Sequence, residues 1–362
     1  MNNLLLDYIT THINWEQEIT NMGIDVKHDG DYALFKYNML KGCDFHNDLC
    51  KVCRGIIVNL KTMKIVCRPF DKFFNYGEEF ADNLDWNSVK IREKIDGSLM
   101  KVWWDCGNWH ISTNGTIDAD KAELQSDLGD FRTYGELFKS VFPVNLYNKL
   151  DKRYTYMFEL VSPYSTIVVH YDNTAIYHLA TRDNETGKEV EMDIGIQKPK
   201  DYTANTIDEL INAAAALPDD AEGYVAYDKD YKRIKVKNPT YVMLHHIAGN
   251  RNFTTKRFVE LIKEHEDAEF LNYFPEFTDK FNDIKNKIAA IANKSRELYN
   301  EAISAGLDKR GFAIEYNGKI PAALFTFVIW CYLDNSKDIY NEIIERCTID
   351  KILELLELEW NM

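Results

Sequence analysis

The sequence lacks the features of a membrane protein and of a secreted protein held together by disulfides. No segment of its 362 residues approaches the roughly 20 consecutive apolar residues that a membrane-spanning helix needs. The polar start, Met1-Asn2-Asn3, does not have the charged-then-apolar order of a signal peptide. Seven cysteines are an odd number, in a chain long enough to need no disulfides. We therefore expect a soluble, cytoplasmic protein with reduced thiols and without a membrane partner.

The sequence is also short of positive charge. Its formal net charge of -15 at pH 7 argues against indiscriminate binding to nucleic acid, because phosphate contacts need a positive surface. Residues 229–237 are a local exception, with five cations and one anion. That run is either a solvated strand face or the basic site that a polynucleotide would need.

A second C-x-x-C pair, which would strengthen the case for a zinc site, is missing. Cys50 and Cys53 form one such pair, and Cys43, His46 and Cys67 lie nearby in sequence. The flanking spacings fit no further pair. Buried or incidental cysteines are therefore favoured over zinc, which stays an alternative.

The chain has no internal repeat, low-complexity tract or Pro- or Ser-rich linker, but its length and its 45% hydrophobic content allow two cores. Residues 32–243 are typical of short strands separated by Gly, Asn and Asp. The clearest predicted strands are 55–58, 98–104, 155–161, 166–169 and 223–227. Helical patterns interrupt these strands at 119–128, 134–141 and 207–217.

The C-terminal third changes character. Apolar residues recur there at three- and four-residue spacing over 254–265, 277–306, 321–333 and 336–358. We predict an α+β protein, with antiparallel or mixed sheets over residues 1–242 and an all-helical domain over residues 243–362.

Lys94 precedes a tight turn in the run Lys94-Ile95-Asp96-Gly97. Glycine at such a turn lets the backbone approach a ligand closely. The pattern K-x-D-G is weak by itself, however, and an ordinary hairpin turn is its favoured interpretation when it stands alone.

Charged residues on predicted strands change that balance, because a buried charge is costly without a partner or a ligand. Glu159 interrupts an apolar strand, and Glu222 directly precedes another. Lys235 and Lys237 alternate with apolar residues, so both ammonium groups project from one strand face. Two carboxylates and three lysines in one pocket would suit a polyphosphate with a divalent metal.

These residues occur in the order of a known family. The runs at Lys94-x-Asp96-Gly97, 158–161, 222–225 and 235–237 resemble motifs I, III (or IIIa), IV and V of the covalent nucleotidyltransferases, which comprise DNA ligases, RNA ligases and mRNA-capping enzymes. Residues 53–57 and 68–75 resemble the phage RNA ligase 1 type, which repairs broken tRNA anticodon loops. The resemblance covers about residues 32–246. A helical tail in place of a β-barrel OB module favours RNA ligase.

The resemblance implies a nucleotidyltransferase domain and a role for each matching residue. Lys94 would attack the α-phosphorus of ATP, while Lys235 and Lys237 favour its neutral amine and balance phosphate charge. Glu159 and Glu222 would hold Mg²⁺ or Mn²⁺ directly or through water. The remaining implied contacts are a metal-bound water at Tyr241, phosphates at Arg54 and Lys72, the adenine amino group at Glu93, and close backbone approach at Gly97.

Four residues are open to more than one interpretation. Phe74 either packs against the nucleotide or, as the favoured interpretation, belongs to the core. Glu266 and Asp267 lie where similar enzymes carry an acidic metal-contacting pair, but a solvated helix end explains them equally well. Asn114 stands where those enzymes carry a lysine before a turn glycine. The loss of that cation would weaken phosphate contacts or transfer them to Lys101 or another residue.

The implied function is ATP-dependent RNA ligation in RNA repair, with tRNA as a candidate substrate. Lysyl-AMP would form first, AMP would pass to a 5′-phosphate RNA end, and a 3′-hydroxyl would then seal the break. The helical domain would carry RNA specificity, and an end-healing kinase or phosphatase is a candidate partner. The alternatives are a DNA or broad-specificity polynucleotide ligase and a non-catalytic RNA- or nucleotide-binding protein of the same fold. The presence of Lys94 argues against the last, because binding alone needs no nucleophile.

Overall fold

The computed structural model describes residues 3–124, 129–165, 168–247 and 254–357. The chain divides into two compact units, Met1–Ala248 and Gly249–Met362. This division lies close to the boundary predicted at residue 242. The first unit is built on three β-sheets, and the secondary structure elements described in the second unit are all helices. The predicted α+β class is therefore confirmed.

The first sheet is four-stranded and antiparallel, in the order β1-β2-β3-β4. Its strands are β1 Ile24–Asp29, β2 Tyr32–Tyr37, β3 Arg54–Asn59 and β4 Lys64–Cys67. Two helices precede the sheet, α1 Leu4–Thr11 and α2 Trp15–Asn21, and the short helix α3 Asp48–Val52 lies between β2 and β3. Phe35 and Ile56 belong to the core cluster that also contains α1 and α3 residues. Leu34 and Ile57 instead pack with Trp103 of the next sheet. Because both faces of β3 are buried, its sequence is a continuous apolar run.

The second sheet is five-stranded and antiparallel, in the order β11-β10-β9-β7-β8. Its strands are β7 Ser98–Asp105, β8 Asn108–Thr113, β9 Tyr154–Val161, β10 Ala175–Asp183 and β11 Glu189–Val190. Helix α4, Tyr134–Val141, begins at the N-cap Thr133 and packs Leu137 and Phe138 against this sheet. The predicted strands at 98–104 and 155–161 and the predicted helix at 134–141 are confirmed.

The third sheet is mixed, in the order β12-β6-β13-β14-β5. Its strands are β5 Phe74–Asn75, β6 Lys90–Glu93, β12 Asp201–Tyr202, β13 Gly223–Tyr227 and β14 Arg233–Lys237, with β5 parallel to β14. Helix α5, Ile207–Ala215, packs Leu210 against the sheet. Helix α6, Pro239–Ile247, follows β14.

Two predicted elements of the first unit are wrong in their described parts. In place of the helix at 119–128, a 3-10 helix covers Ala119–Lys121, and Glu123 then forms a bridge with Thr133; residues 125–128 lie outside the described chain. The strand predicted at 166–169 falls partly on undescribed residues, and its described end, Val168 and Val169, forms a bend. The carboxylate of Asp96 accepts hydrogen bonds from both backbone N–H groups of this bend.

The second unit is formed by the helices α7 Thr255–Glu264, α8 Asp267–Tyr273, α9 Thr278–Ser304, α10 Lys309–Tyr316, α11 Ala322–Leu333, α12 Ile339–Arg346 and α13 Ile349–Glu357. Residues from α7, α8, α9, α11, α12 and α13 form its core. The helical spacing at 336–358 corresponds to two helices, because Cys347 adopts an extended conformation and separates α12 from α13. The hydroxyl of Thr348 then accepts from the Lys351 N–H group at the start of α13. Among the described helices, none is both long and apolar enough to cross a membrane.

Candidate nucleotide-binding site

Lys94 follows β6 directly and lies where the third sheet meets the second. Its backbone N–H donates to the carbonyl of Gly223 at 2.8 Å, which anchors the residue to the start of β13. Its Nζ donates to Glu222 Oε2 at 2.6 Å. The Glu222 side chain is only 5% exposed, whereas that of Lys94 is 22% exposed. The amine is therefore held by a buried carboxylate but remains reachable.

Glu222 lies between two lysines. Its second oxygen, Oε1, is 3.7 Å from Nζ of Lys237. The antiparallel register of β13 and β14 pairs Gly223 with Lys237, so Lys237 is brought next to the residue before Gly223. One carboxylate thus contacts two ammonium groups, and the local charge is positive.

Glu159 lies on β9, opposite Leu99 in the strand that follows the Lys94 turn. Burial raises the pKa of its carboxyl group to about 8; the positive charges of Lys94 and Arg54 oppose this effect, and Glu222 adds to it. Among the described residues, no hydrogen bond partner compensates this carboxyl group. Positive charge brought next to this carboxyl group would favour its ionised form.

The turn after Lys94 is fixed by packing rather than by a hairpin hydrogen bond. A Cβ atom at Gly97 would lie 2.5 Å from the carbonyl oxygen of Leu160 and 3.1 Å from Cγ of Glu159. Glycine is therefore required, because it lets the turn pack on β9 beside Glu159. Asp96 is 5% exposed and binds the backbone at residues 168–169, so its role is structural.

A pocket of about 370 Å³ opens beside Lys94. Eight of the residues predicted to bind the nucleotide line it: Arg54, Lys72, Glu93, Lys94, Gly97, Glu159, Lys235 and Lys237. Glu222 does not line the pocket itself, but it is hydrogen-bonded to Lys94, which does. The volume falls in the range of small-molecule sites, and the excess of cations suits a polyphosphate.

Aromatic rings hold the cations at one end of the pocket. Lys72 Nζ is 5.1 Å from the ring centroid of Tyr37 and 5.2 Å from that of Phe74. The guanidinium of Arg54 is 5.3 Å from the ring of Phe73. Burial raises the pKa of the Tyr37 hydroxyl, but Lys72 and Arg54 outweigh it and hold that pKa below its usual value. Cation–π contacts of this kind fix long side chains without neutralising them.

The two neighbouring phenylalanines have different roles. Phe74 is 7% exposed and belongs to the core of the first sheet, as the favoured interpretation of the sequence had it. Phe73 lines the pocket, in contact with Arg54 and with Lys235, whose Nζ lies 5.7 Å from its ring. Sequence reasoning missed Phe73, because the chain around β5 gives no alternation long enough to assign faces.

Two arginines of the pocket were also missed. Arg233 precedes Lys235 by two residues on β14, so strand alternation could have placed it on the same face. It forms a bidentate pair with Glu189, at 2.8 and 2.9 Å. Arg92 of β6 lies 3.2 Å from Asp201, and nothing local in the sequence indicates that pair.

Other predicted residues lie away from the pocket lining. Tyr241 on α6 is 2% exposed, with its ring centroid 5.9 Å from Lys237 Nζ. Asp267 forms an ion pair with Lys285 inside the helical unit, and Glu266 immediately precedes α8. Cys43, Cys50, Cys53 and Cys67 are buried free thiols. Within the described ranges, no group of three or more His, Cys, Asp and Glu residues is placed to hold a metal ion.

A partly exposed lysine, two acidic side chains and several cations thus lie together at one pocket of the sheet scaffold. Residues 52–241, more than half of the chain, match the RNA ligase family model. The chain belongs to this RNA ligase family, of the phage RNA ligase 1 type. The predicted resemblance is thereby confirmed, and so is the predicted enzyme class, RNA ligase.

Relatives of the chain carry names from the same class. It is 33% identical over 243 residues to a protein of Autographa californica nuclear polyhedrosis virus named as a bifunctional polynucleotide kinase/RNA ligase; the match covers 62% of this chain and 35% of the viral protein. It is 26% identical to an RNA ligase of Rhodothermus phage RM378, with 85% and 89% covered. An archaeal ATP-dependent RNA ligase structure aligns with a TM-score of 0.49 at 12% identity, over 80% of this chain and 83% of that one.

Proposed function

We propose that the protein is an ATP-dependent RNA ligase in which Lys94 forms a covalent lysyl-AMP. In the first step, Nζ of Lys94 would form a bond to the α-phosphorus of ATP as the bond to pyrophosphate breaks, and the amine would lose a proton. The observation that carries this proposal is the contact of Lys94 with Glu222 at 2.6 Å, at the edge of a pocket of about 370 Å³. A lysine that only formed a structural ion pair with Glu222 would not be expected to border a pocket lined by other cations.

The surrounding cations supply the electrostatics for that step. Lys237 lies 3.7 Å from the other oxygen of Glu222, and Lys235 lines the pocket on the same strand face. Positive neighbours favour the neutral, nucleophilic form of an amine and stabilise charge that develops on phosphate oxygens. Arg54 and Lys72 are available for the remaining phosphates. Arg54 offers a planar fork of donors and Lys72 a point charge.

A divalent cation, Mg²⁺ or Mn²⁺, fits the acidic residues of this pocket. The half-buried carboxyl group of Glu159 has a pKa raised to about 8 and lacks a hydrogen-bond partner within the described residues, so a bound cation would lower that pKa and stabilise the ionised carboxylate. Mg²⁺ uses one or two carboxylates and keeps several waters, which suits Glu159 with Glu222 and a water near Tyr241. The bound cation would neutralise charge on the α-phosphate and the leaving pyrophosphate.

The later steps follow from the same intermediate. A 5′-phosphate oxygen of RNA would attack the phosphorus of lysyl-AMP and release Lys94, and a 3′-hydroxyl would then attack the 5′-phosphorus and release AMP. We propose a role in RNA repair, with tRNA as a candidate substrate and RNA specificity in the helical unit. One viral relative is named as a kinase and ligase in a single chain, which supports a kinase that prepares 5′-phosphate ends as a partner of this protein.

The covalent intermediate is tested with ATP labelled at the α-phosphate. The protein is incubated with this ATP and Mg²⁺ and then resolved by denaturing electrophoresis. Label should remain on the wild-type protein and should be absent from Lys94→Ala. An unlabelled wild-type protein, or a labelled Lys94→Ala protein, would exclude the mechanism. Omission of the divalent cation should remove the label as well.

The substrate is tested separately from the nucleophile. Sealing of 5′-phosphorylated single-stranded RNA, which offers both ends in one molecule, is compared with sealing of nicked DNA at equal concentrations. Faster sealing of RNA is expected. Equal or faster sealing of nicked DNA would replace RNA ligase by a DNA or broad-specificity polynucleotide ligase.

A further inference from the structure

Lys101 is a fully buried lysine that lies beneath the edge of the nucleotide pocket. It is 0% exposed, and its ammonium group on β7 donates to the carbonyl oxygen of Gly55 on β3. Gly55 has a φ of +83°. A Cβ at that position would lie 2.5 Å from the Asn114 carbonyl oxygen, 2.8 Å from Asn114 Oδ1 and 3.1 Å from Lys101 Nζ. Lys101, Gly55 and Asn114 therefore form one close-packed group.

The charges that face Lys101 do not neutralise it. Arg54 on β3 and Lys36 on β2 are cationic, and Cys67 on β4 is a buried thiol whose own pKa is raised. No carboxylate of the described residues forms an ion pair with Lys101. Burial lowers the pKa of the Lys101 ammonium to about 8, and Arg54 and Lys36 add to this effect, whereas Cys67 opposes it. A buried charge without a counterion destabilises the fold unless a ligand supplies one.

The pocket edge above Lys101 carries an unsatisfied hydrogen-bond donor that could bind an anion. Asn114 and Arg54 both line the pocket. Nη1 of Arg54 is a buried donor that has no hydrogen-bond acceptor within the described residues. Oδ1 of Asn114 is a buried acceptor and does not itself contribute to anion binding. An unsatisfied buried donor at a pocket edge indicates an acceptor that arrives with the ligand.

We propose that Lys101 is a positioning residue for the ATP phosphates, and that it supplies positive charge from beneath the edge of the pocket that Arg54 and Asn114 line. This inference rests on the proposed function. Lys101 does not line the pocket, so it cannot contact the phosphates directly. It acts on them by packing against Gly55 and Asn114 and by adding to the positive electrostatic potential of Arg54. Bound phosphates would compensate part of the cost of burying the Lys101 ammonium group.

Binding is measured with an ATP analogue that carries a methylene bridge between its α- and β-phosphates and so cannot release pyrophosphate. Lys101→Met keeps the length of the side chain and removes its charge. We expect it to weaken binding of the analogue about tenfold, the factor that one pKa unit represents. Adenosine, which has no phosphates, should bind Lys101→Met as it binds the wild type. Equal losses for the analogue and for adenosine would show a structural role only and would overturn the inference.

A relocated charge should rescue the variant. Asn114→Lys introduced into Lys101→Met restores a cation at the same edge of the pocket, so affinity for the analogue should return to within about threefold of the wild-type value. Unaltered affinity in Lys101→Met, or a double variant that stays as weak as the single one, would contradict the proposal. Lys101→Met is also expected to unfold at a higher temperature at pH 7, because it removes a buried charge.

The wild-type protein offers a test that needs no variant. Bound phosphates raise the pKa of Lys101, so binding takes up a proton wherever the free protein has lost it. Affinity for the analogue should therefore be full below pH 8 and should fall as the pH rises from about 8 to 9. Calorimetry in buffers of different ionisation enthalpy measures the proton uptake. Absence of uptake at pH 8.5 in the wild type, or equal uptake in Lys101→Met, would count against Lys101.

Labelling with α-phosphate-labelled ATP is run in parallel. A wild-type protein that fails to label would refute the lysyl-AMP function and, with it, this inference. A wild-type protein that labels, together with a Lys101→Met protein of unchanged ATP dependence, would refute the inference alone.

Discussion

The two units of the chain treat buried charge differently. Among the described residues of the helical unit, the two buried carboxylates both form ion pairs: Asp267 pairs with Lys285, and Glu342 lies 2.8 Å from Lys337 and 2.5 Å from Arg346. In the sheet unit, Glu222 alone serves two lysines, and Lys101 has no carboxylate partner among the described residues. In the helical unit, neighbouring cations neutralise the buried carboxylates. In the sheet unit, excess positive charge at the pocket remains available to an anionic ligand.

The difference follows from how the elements bring residues together. On a helix, residues three or four positions apart lie side by side, so a pair such as Glu342 and Arg346 is formed within a single turn. On a sheet, neighbours come from distant parts of the chain, and Lys94 meets Glu222 across 128 positions. Charge can therefore be concentrated in a sheet pocket without local compensation. Such excess charge is stabilising only when a ligand of opposite sign is bound.

The largest effect is expected at the shared carboxylate. Lys237→Ala removes one of the two ammonium groups at Glu222 and a cation of the pocket, and should slow lysine adenylation about a hundredfold, as loss of a preorganised charge does in other active sites. Single-turnover labelling with ATP measures the rate. Lys229→Ala, which removes a cation from an exposed pair with Asp85 near the same strand, is the control and should label normally. A normal rate in Lys237→Ala would contradict the role of this lysine.

A smaller effect is expected when buried His178 of the sheet unit is charged. Burial lowers the pKa of this ring to about 4, and Lys198 adds to the effect, so the folded state holds the ring neutral. The unfolded chain takes up the proton as the pH falls through 6.5, and the folded chain does so only near 4. Stability is therefore full above pH 6.5 and is lost as the pH falls from 6.5 to 4. Between pH 7 and pH 5 the loss should be about 2 kcal/mol.

Urea unfolding at both pH values measures this loss, and His178→Gln gives the comparison. The variant should show a smaller difference between pH 7 and pH 5, whatever its absolute stability. A variant with the full wild-type difference would assign the acid sensitivity to another group.

The helical unit should respond through stability rather than chemistry. Asp267→Ala breaks the pair with Lys285, whose side chain is 38% exposed and can be solvated, so the free energy of unfolding should fall by only about 1 kcal/mol. Lysine adenylation should be spared, and RNA sealing is the only activity that we expect to change. Loss of the label on Lys94 in Asp267→Ala would remove the distinction between the two units.

The smallest effect is expected at an exposed pair of the same helical unit. Lys287 and Asp283 lie 2.9 Å apart at i, i+4 on α9, with both side chains more than half exposed. Lys287→Ala should change the free energy of unfolding by about 0.5 kcal/mol or less. A loss as large as that of Asp267→Ala would mean that burial does not separate the two pairs.

Much of the candidate site can be predicted from sequence patterns that span only a few residues. The alternation of β14 correctly predicts that Lys235 and Lys237 share a face, and both line the pocket. Periodicity likewise predicts α4 and α9 closely. The apolar spacing at 336–358 predicts helical structure but does not show the break between α12 and α13, because the spacing continues across Cys347, where the backbone is extended. Periodicity reports which residues are buried, and it does not report whether the backbone between them stays helical.

The sequence by itself determines the strands, the helical tail and the order of the charged motifs, because each depends on residues close together in the chain. Only the tertiary structure decides which charges share a partner. It places Glu222 between Lys94 and Lys237, assigns Phe73 to the pocket and Phe74 to the core, and buries Lys101 beneath Asn114. Contacts between strands far apart in sequence depend on sheet register and packing, and no local pattern encodes them.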